Sequence, residues 1–238
     1  MLSQLIGGST YDILSVILAI PCIMIALSFH EAAHGYAAYK MGDPTARNLG
    51  RLTLNPLKHL DLIGSLCMLV CGFGWAKPVP INTRYFKDQK KGMALTALAG
   101  PLSNFALGLI GVIITRIVVL IFVSTDNMAN INGILYYTSK ASYPFCAAVM
   151  MLLQCFSYLN FSLAIFNLIP VPPFDGSRIL FTFLPDKYYF GIMRYEQYIL
   201  IGVLLLLSFG PSFLSISSIT ARLIDGIELI LDLILPIK

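Results

Sequence analysis

The chain has 238 residues, of which 57% are hydrophobic and only 12% charged, whereas soluble domains carry roughly 25% charge. With a mean hydropathy of +0.79, this composition excludes an ordinary soluble globule and defines an integral membrane protein. A net charge of +4 without any basic run interleaved with aromatics excludes nucleic acid as a partner.

Met1 to Tyr11 holds no Lys or Arg, so no cleavable signal is expected and the first apolar helix is retained. That helix runs from Ile13 to about Lys40, long enough for a bilayer that about 20 apolar residues can cross. Its charge-bearing interior is His30-Glu31-Ala-Ala-His34. On a helix His30 and His34 stand at i and i+4 and lean to one face, while Glu31 lies about 100° round. Two imidazoles gripping one ion with a carboxylate beside them is the H-E-x-x-H pattern of zinc hydrolysis. A polar helix contact or a proton path is the alternative use of such groups inside a membrane. The motif lies toward the Lys40 end of the helix, placing the metal below one membrane surface.

Residues 45 to 92 contain two short strand-like runs, Leu49 to Leu54 and Ala76 to Ile81, bracketing an apolar stretch from Leu60 to Phe73. That stretch is short for a span. Lys40, Arg47, Arg51 and Lys58 precede it, and Lys77, Arg84, Lys87, Lys90 and Lys91 follow it. A crossing would put two basic segments on opposite sides, against the positive-inside bias. The stretch therefore reads as re-entrant or interfacial, a lid over a site with both flanks cytoplasmic.

Gly92 to Val123 is the second long helix, entered through Ala99-Gly100-Pro101-Leu-Ser-Asn104 and carrying Arg116. The polar connection from Asp126 to Lys140 suits the outer side. A third span, about Tyr143 to Ile169, ends at Asn167-Leu-Ile-Pro170-Val-Pro172-Pro173-Phe-Asp175-Gly176, where the prolines forbid further helix. Ser177 to Arg194 returns to the cytoplasmic side, and Tyr195 to Phe209 with Phe213 to Ile237 reads as a final hairpin around Gly210-Pro211. Asp225, Glu228 and Asp232 form a polar face there that can pair with Arg222. The five cysteines, Cys22, Cys67, Cys71, Cys146 and Cys155, lack C-x-x-C spacing and read as small buried thiols.

The expected fold is an all-α polytopic membrane protein of five to six transmembrane helices, with a short re-entrant β-hairpin-like segment after the first. Residues 1 to 238 form one membrane-embedded domain, its core at about 13 to 185 and a helical hairpin at about 195 to 237. The topology keeps most of the 16 basic residues in the cytoplasm of a multi-pass cell-membrane protein, with the N-terminus outside.

A catalytic zinc takes three protein ligands and keeps one open position, so the two histidines need a third. Asp175 fits best, unwound by the prolines and at about the depth of His34; the alternative is that Asp175-Gly176 is merely a turn. His59 could complete a three-histidine site, but Asn55-Pro-Leu-Lys-His59 looks like an interfacial turn, better suited to a substrate or lid contact. Asn167 is either a helix C-cap or a donor to a developing oxyanion. Asn160-Phe-Ser162 matches a glycosylation pattern but falls inside a span, which removes that reading.

His30-Glu31-Ala-Ala-His34, Gly100-Pro101-Leu-Ser-Asn104 and Asn167-x-x-Pro170-x-x-Pro173-x-Asp175-Gly176 together resemble the site-2 protease family of intramembrane zinc proteases, over about residues 13 to 185. Gly50-Arg-Leu-Thr-Leu-Asn-Pro and Phe73-Gly-Trp-Ala-Lys-Pro-Val-Pro resemble its compact prokaryotic branch, which lacks PDZ and CBS domains. The resemblance implies one Zn2+ on His30, His34 and Asp175, Glu31 as general base, and Asn167 holding substrate or oxyanion. It adds Asn104 and Pro173 to His59 as substrate or lid contacts. It also implies cleavage of single-pass membrane proteins or signal-peptide remnants within the lipid bilayer. Many members continue the aspartate motif with Gly-Gly, where this chain has Gly176-Ser177. The competing classes are a non-enzymatic zinc or proton transporter using the same cluster, and a scaffold that binds membrane proteins uncut.

Overall fold

The computed structural model describes residues 10–61, 64, 76–131, 134–138, 143–185, 192, 195, 197–199, 201–203 and 216–237. In chain order these form α1 (Thr10–Lys40), the single turn α2 (Thr45–Asn48), α3 (Gln89–Ser124), the strands β1 (Met128–Ile131) and β2 (Ile134–Tyr137), α4 (Tyr143–Asn167), α5 (Asp175–Phe181) and α6 (Ile216–Ile234). Among the described residues three helices, α1, α3 and α4, are long and apolar enough to cross a membrane. Each is apolar on all sides, and a helix satisfies its own backbone hydrogen bonds where no water can.

α1, α3 and α4 pack against one another, and α3 explains how closely. Gly100, Asn104, Gly108, Gly111 and Thr115 are all buried at three- to four-residue spacing, one stripe of mostly small residues. A Cβ at Gly108 would sit 2.9 Å from the ring of Phe161, a fully buried residue of α4. Small residues of this kind let transmembrane helices approach closely. At the far end of the bundle Val119, Phe122, Met128, Cys146 and Met150 form a separate apolar cluster.

Two features depart from the sequence expectation. Leu49 to Leu54 and Ala76 to Ile81 are not strands. Gly50 turns through the left-handed region (φ +64°), and Pro78 and Pro80 have no N–H for a ladder. The two segments meet instead through Arg51, whose Nη2 donates to the carbonyls of Lys77 (2.7 Å) and Pro78 (3.3 Å). Leu60 and Ala76 form one antiparallel bridge, and the Lys77 N–H donates to the His59 carbonyl at 2.8 Å. The apex of the expected re-entrant segment, 62–75 apart from Gly64, lies outside the described residues.

The last helix is the second departure. Thr220, near the start of α6, meets Ser162 of α4 (3.1 Å between hydroxyls), while Arg116 of α3 donates to the Leu235 carbonyl at 2.8 Å and is ion-paired with Asp232. Ser162 is close to the Asn167 end of α4, and Arg116 lies about 18 Å along α3 from Asn104. α6 therefore runs away from the Asn167 end, opposite to the direction the final hairpin requires. Arg116, alone among apolar neighbours, takes its partners from α6, which a charge at that depth demands. The first arm of that hairpin falls largely outside the described residues. The polar connection from Asp126 to Lys140 holds an antiparallel hairpin, Met128 opposite Tyr137 and Ile131 opposite Ile134.

Candidate metal centre

α1 supplies two imidazoles from one face, four residues apart, and both are buried. α4 ends at Asn167, the proline-rich turn reverses the chain, and α5 begins on Asp175, aimed back at α1. Three donor atoms meet there. His30 Nε2 is 3.0 Å from His34 Nε2 and 3.1 Å from Asp175 Oδ2, and His34 Nε2 is 3.2 Å from the same oxygen.

The opposite ring nitrogens decide what those atoms carry. His34 Nδ1 lies 2.7 Å from the Thr96 carbonyl and His30 Nδ1 lies 2.6 Å from Asn104 Oδ1. Oxygens of these kinds only accept, so both Nδ1 atoms donate, and in the neutral rings both Nε2 atoms are bare lone pairs. Two lone pairs and a carboxylate oxygen crowded together in a buried site repel unless a cation sits among them. Tetrahedral ligands at about 2.0–2.1 Å from zinc would be spaced about 3.3 Å apart, close to the triangle seen. The residues therefore fit a divalent metal, and His30, His34 and Asp175 are the candidate metal group among the described residues.

Gly100 leaves the room for this triangle. A Cβ there would lie 2.5 Å from both Cε1 and Nε2 of His34 and 2.7 Å from Cε1 of His30. Gly100→Ala must displace both rings, and a misplacement of about 1 Å costs roughly 100-fold in activity. Zinc content and peptide cleavage of the purified variant, measured together, are expected to fall with the helices still folded.

Glu31 faces the loop. Its Oε2 accepts the Val79 N–H at 2.8 Å, and Val79 is buried against the Gly35 face of α1. Asp43, wholly buried at the end of α1, accepts from the backbone and hydroxyl of Thr45 and from the Asn82 N–H at 2.7 Å. Residues 76–82 are thus strapped across the Glu31 side of α1. Beside them an apolar groove of about 450 Å³ runs between Phe29, Ala33 and Tyr36 of α1, Leu52 and Leu54, and Ser103 of α3.

His30 and His34, paired by their spacing, come together with Asp175. His59 does not join them: it is buried, with Nε2 2.7 Å from the Thr53 carbonyl, inside the loop. The Asn167 amide donates to Leu163 of its own helix at 3.0 Å. Pro173 lies in the turn before Asp175. Asn104 is wholly buried behind His30, away from the groove. Asn160, unused by the sequence reading, is also wholly buried and bonded to Asn104 at 2.9 Å. An amide inside a span needs a partner, and that was its signal.

A bundle of membrane-length helices holding an H-E-x-x-H pair and a distant aspartate around one metal position is the architecture of a membrane-embedded metallopeptidase. The chain belongs to the site-2 protease family: the family model described as peptidase family M50 matches residues 18–209. As a member it is a zinc metalloprotease. It is 38% identical to the protein named "Putative zinc metalloprotease YwhC" of Bacillus subtilis, over 74% of this chain and 73% of that one. It is 31% identical to the zinc metalloprotease MJ0392 of Methanocaldococcus jannaschii over 70% of this chain, and 26% identical to Rip2 of Mycolicibacterium smegmatis over 67% of it. The match spans only 34% of MJ0392 and 54% of that Rip2. No solved structure matches the chain.

Proposed function

We propose that this chain is an intramembrane endopeptidase that hydrolyses peptide bonds in or near transmembrane segments of single-pass membrane proteins or signal-peptide remnants. The observation that carries this reading is the convergence of three bare donor atoms beside Glu31, inside a bundle of membrane-length helices. His30, His34 and Asp175 hold the ion, and Glu31 is the general base. When bound, zinc supplies Lewis acidity that activates water and polarises the scissile carbonyl. The Glu31 carboxylate takes the proton from the attacking water and returns it to the nitrogen of the departing amine. Asn167, at the mouth of the proline turn, holds the substrate once its amide leaves Leu163.

A helical peptide bond is shielded by its own hydrogen bonds, so the substrate must enter extended. The groove beside Leu52 and Leu54 suits such a segment, because its apolar walls accept the side chains of an extended chain. The basic residues around the site, from Arg47 and Arg51 to Lys90 and Lys91, support a cytoplasmic position for it in the cell membrane.

The test is cleavage of a single-pass substrate by the purified chain in lipid vesicles. Activity is expected to stop when a chelator strips zinc and to return when zinc is restored. Cleavage that persists in the stripped protein would overturn the proposal, as would zinc-loaded protein that cuts no transmembrane substrate but moves zinc across the vesicle.

A further inference from the structure

Of the two imidazoles, His34 is oriented by backbone: its Nδ1–H meets the carbonyl of Thr96, which no substitution removes. His30 is different, because its Nδ1–H meets a side chain, Asn104, and an amide can present either an acceptor or a donor. Which end faces His30 decides whether Nε2 is a lone pair or an N–H. Only the first can bind a metal.

Buried hydrogen bonds settle the direction. Phe156 O, a carbonyl of α4, accepts Asn160 Nδ2 at 2.8 Å, which turns Asn160 Oδ1 toward α3. That oxygen accepts Asn104 Nδ2 at 2.9 Å, and the same nitrogen donates to the Ala26 carbonyl of α1 at 3.0 Å. Asn104 Oδ1 is left facing His30 Nδ1. Reversing Asn104 would set its oxygen against the Ala26 carbonyl and Asn160 Oδ1, acceptor against acceptor. Both amides are wholly buried, so water cannot relieve such a clash. The polarity thus runs one way from two backbone carbonyls to the ring, and all three membrane-length helices take part.

We propose that Asn160 and Asn104 are positioning residues that fix His30 in the Nδ1–H tautomer and hold its Nε2 lone pair at the metal position. This rests on the reading that His30, His34 and Asp175 bind zinc. Partners of this kind behind a ligand histidine typically change metal affinity 10- to 100-fold when removed. The relay also accounts for an amide pair sunk into a helix interface where the α3 stripe is otherwise mostly glycine.

The experiment is zinc affinity, by chelator competition, of the full chain in detergent, with the absorption spectrum of the Co2+-substituted protein as a second readout. Asn104→Leu, close in shape but without an acceptor, is expected to weaken zinc about 10- to 100-fold and to alter the Co2+ bands. Asn160→Ala removes one of the two acceptors that orient the Asn104 amide and leaves the Ala26 carbonyl in place, and should weaken zinc less. Asn104→Asp restores an acceptor oxygen on His30 and should bind more tightly than Asn104→Leu. Wild-type affinity and an unchanged Co2+ spectrum in Asn104→Leu would overturn the relay. Should that variant fail to fold, unchanged affinity and an unchanged Co2+ spectrum in Asn160→Ala overturn the part given to Asn160. Wild-type protein that takes up no zinc, or His34→Ala that binds as tightly as wild type, would instead sink the metal centre itself.

Discussion

Glu31→Gln is expected to leave zinc bound and to lower cleavage of a transmembrane substrate by about 10²- to 10⁴-fold, the usual share of a positioned general base. The substitution is well matched to the structure. Glutamine has the same shape and still offers an amide oxygen to the Val79 N–H, the bond that holds the loop at 2.8 Å. The strap, the groove and the three ligands therefore remain, and what disappears is the ability to accept a proton. Zinc content by mass spectrometry and cleavage in vesicles, both on one preparation, separate this outcome from a folding defect. A transporter built on the same histidines would keep its function or lose its metal. A protease keeps the metal and loses the reaction.

Asp175→Ala is expected to act one step earlier, on the metal. The two Nε2 atoms 3.0 Å apart would lose the carboxylate that neutralises a cation between them, and two imidazoles alone make a weak site. Since loss of a supporting hydrogen bond costs roughly 10- to 100-fold in affinity, loss of a ligand should exceed about 100-fold. Cleavage should fall with zinc occupancy. The same change is readable without any substrate: a ligand that binds only the folded protein stabilises it by about 2.7 kcal/mol at 100 times its Kd. Zinc should therefore raise the melting temperature of the wild type and leave Asp175→Ala nearly unmoved. A variant stabilised as strongly as the wild type would remove Asp175 from the centre.

Within the candidate metal triangle the histidine pair was legible from local rules, while Asp175 was assigned by its depth and by the family resemblance of its motif. His30 and His34 share a helix face through the helical period alone, and the prolines from Pro170 to Pro173 mark where α4 must end and free Asp175. The three membrane-length helices were legible for the same reason, since length and apolarity are local quantities. What escaped depends on register between distant segments. Asn104 and Asn160 are 56 residues apart, and only the packing of α3 on α4 tells that they meet. Glu31 and Val79 are 48 apart, and nothing in Pro78-Val79-Pro80 announces that its one free N–H is directed at a carboxylate. The prolines there favoured extended backbone, which a strand pattern resembles, yet they also remove the donors a strand needs. The direction of α6 was misread for a related reason. Asp225, Glu228 and Asp232 gave it a polar face, but the partner of Asp232 is Arg116 on α3, which no spacing within α6 reveals.

X-ray absorption at the zinc edge of the purified full chain reads whether His30, His34 and Asp175 hold one zinc. One zinc per chain is expected in a shell of nitrogen and oxygen at about 2.0–2.2 Å, two of the ligands imidazoles, with no sulfur. This shell should be lost in His34→Ala. A sulfur shell at about 2.3 Å, or an unchanged spectrum in that variant, would contradict that assignment.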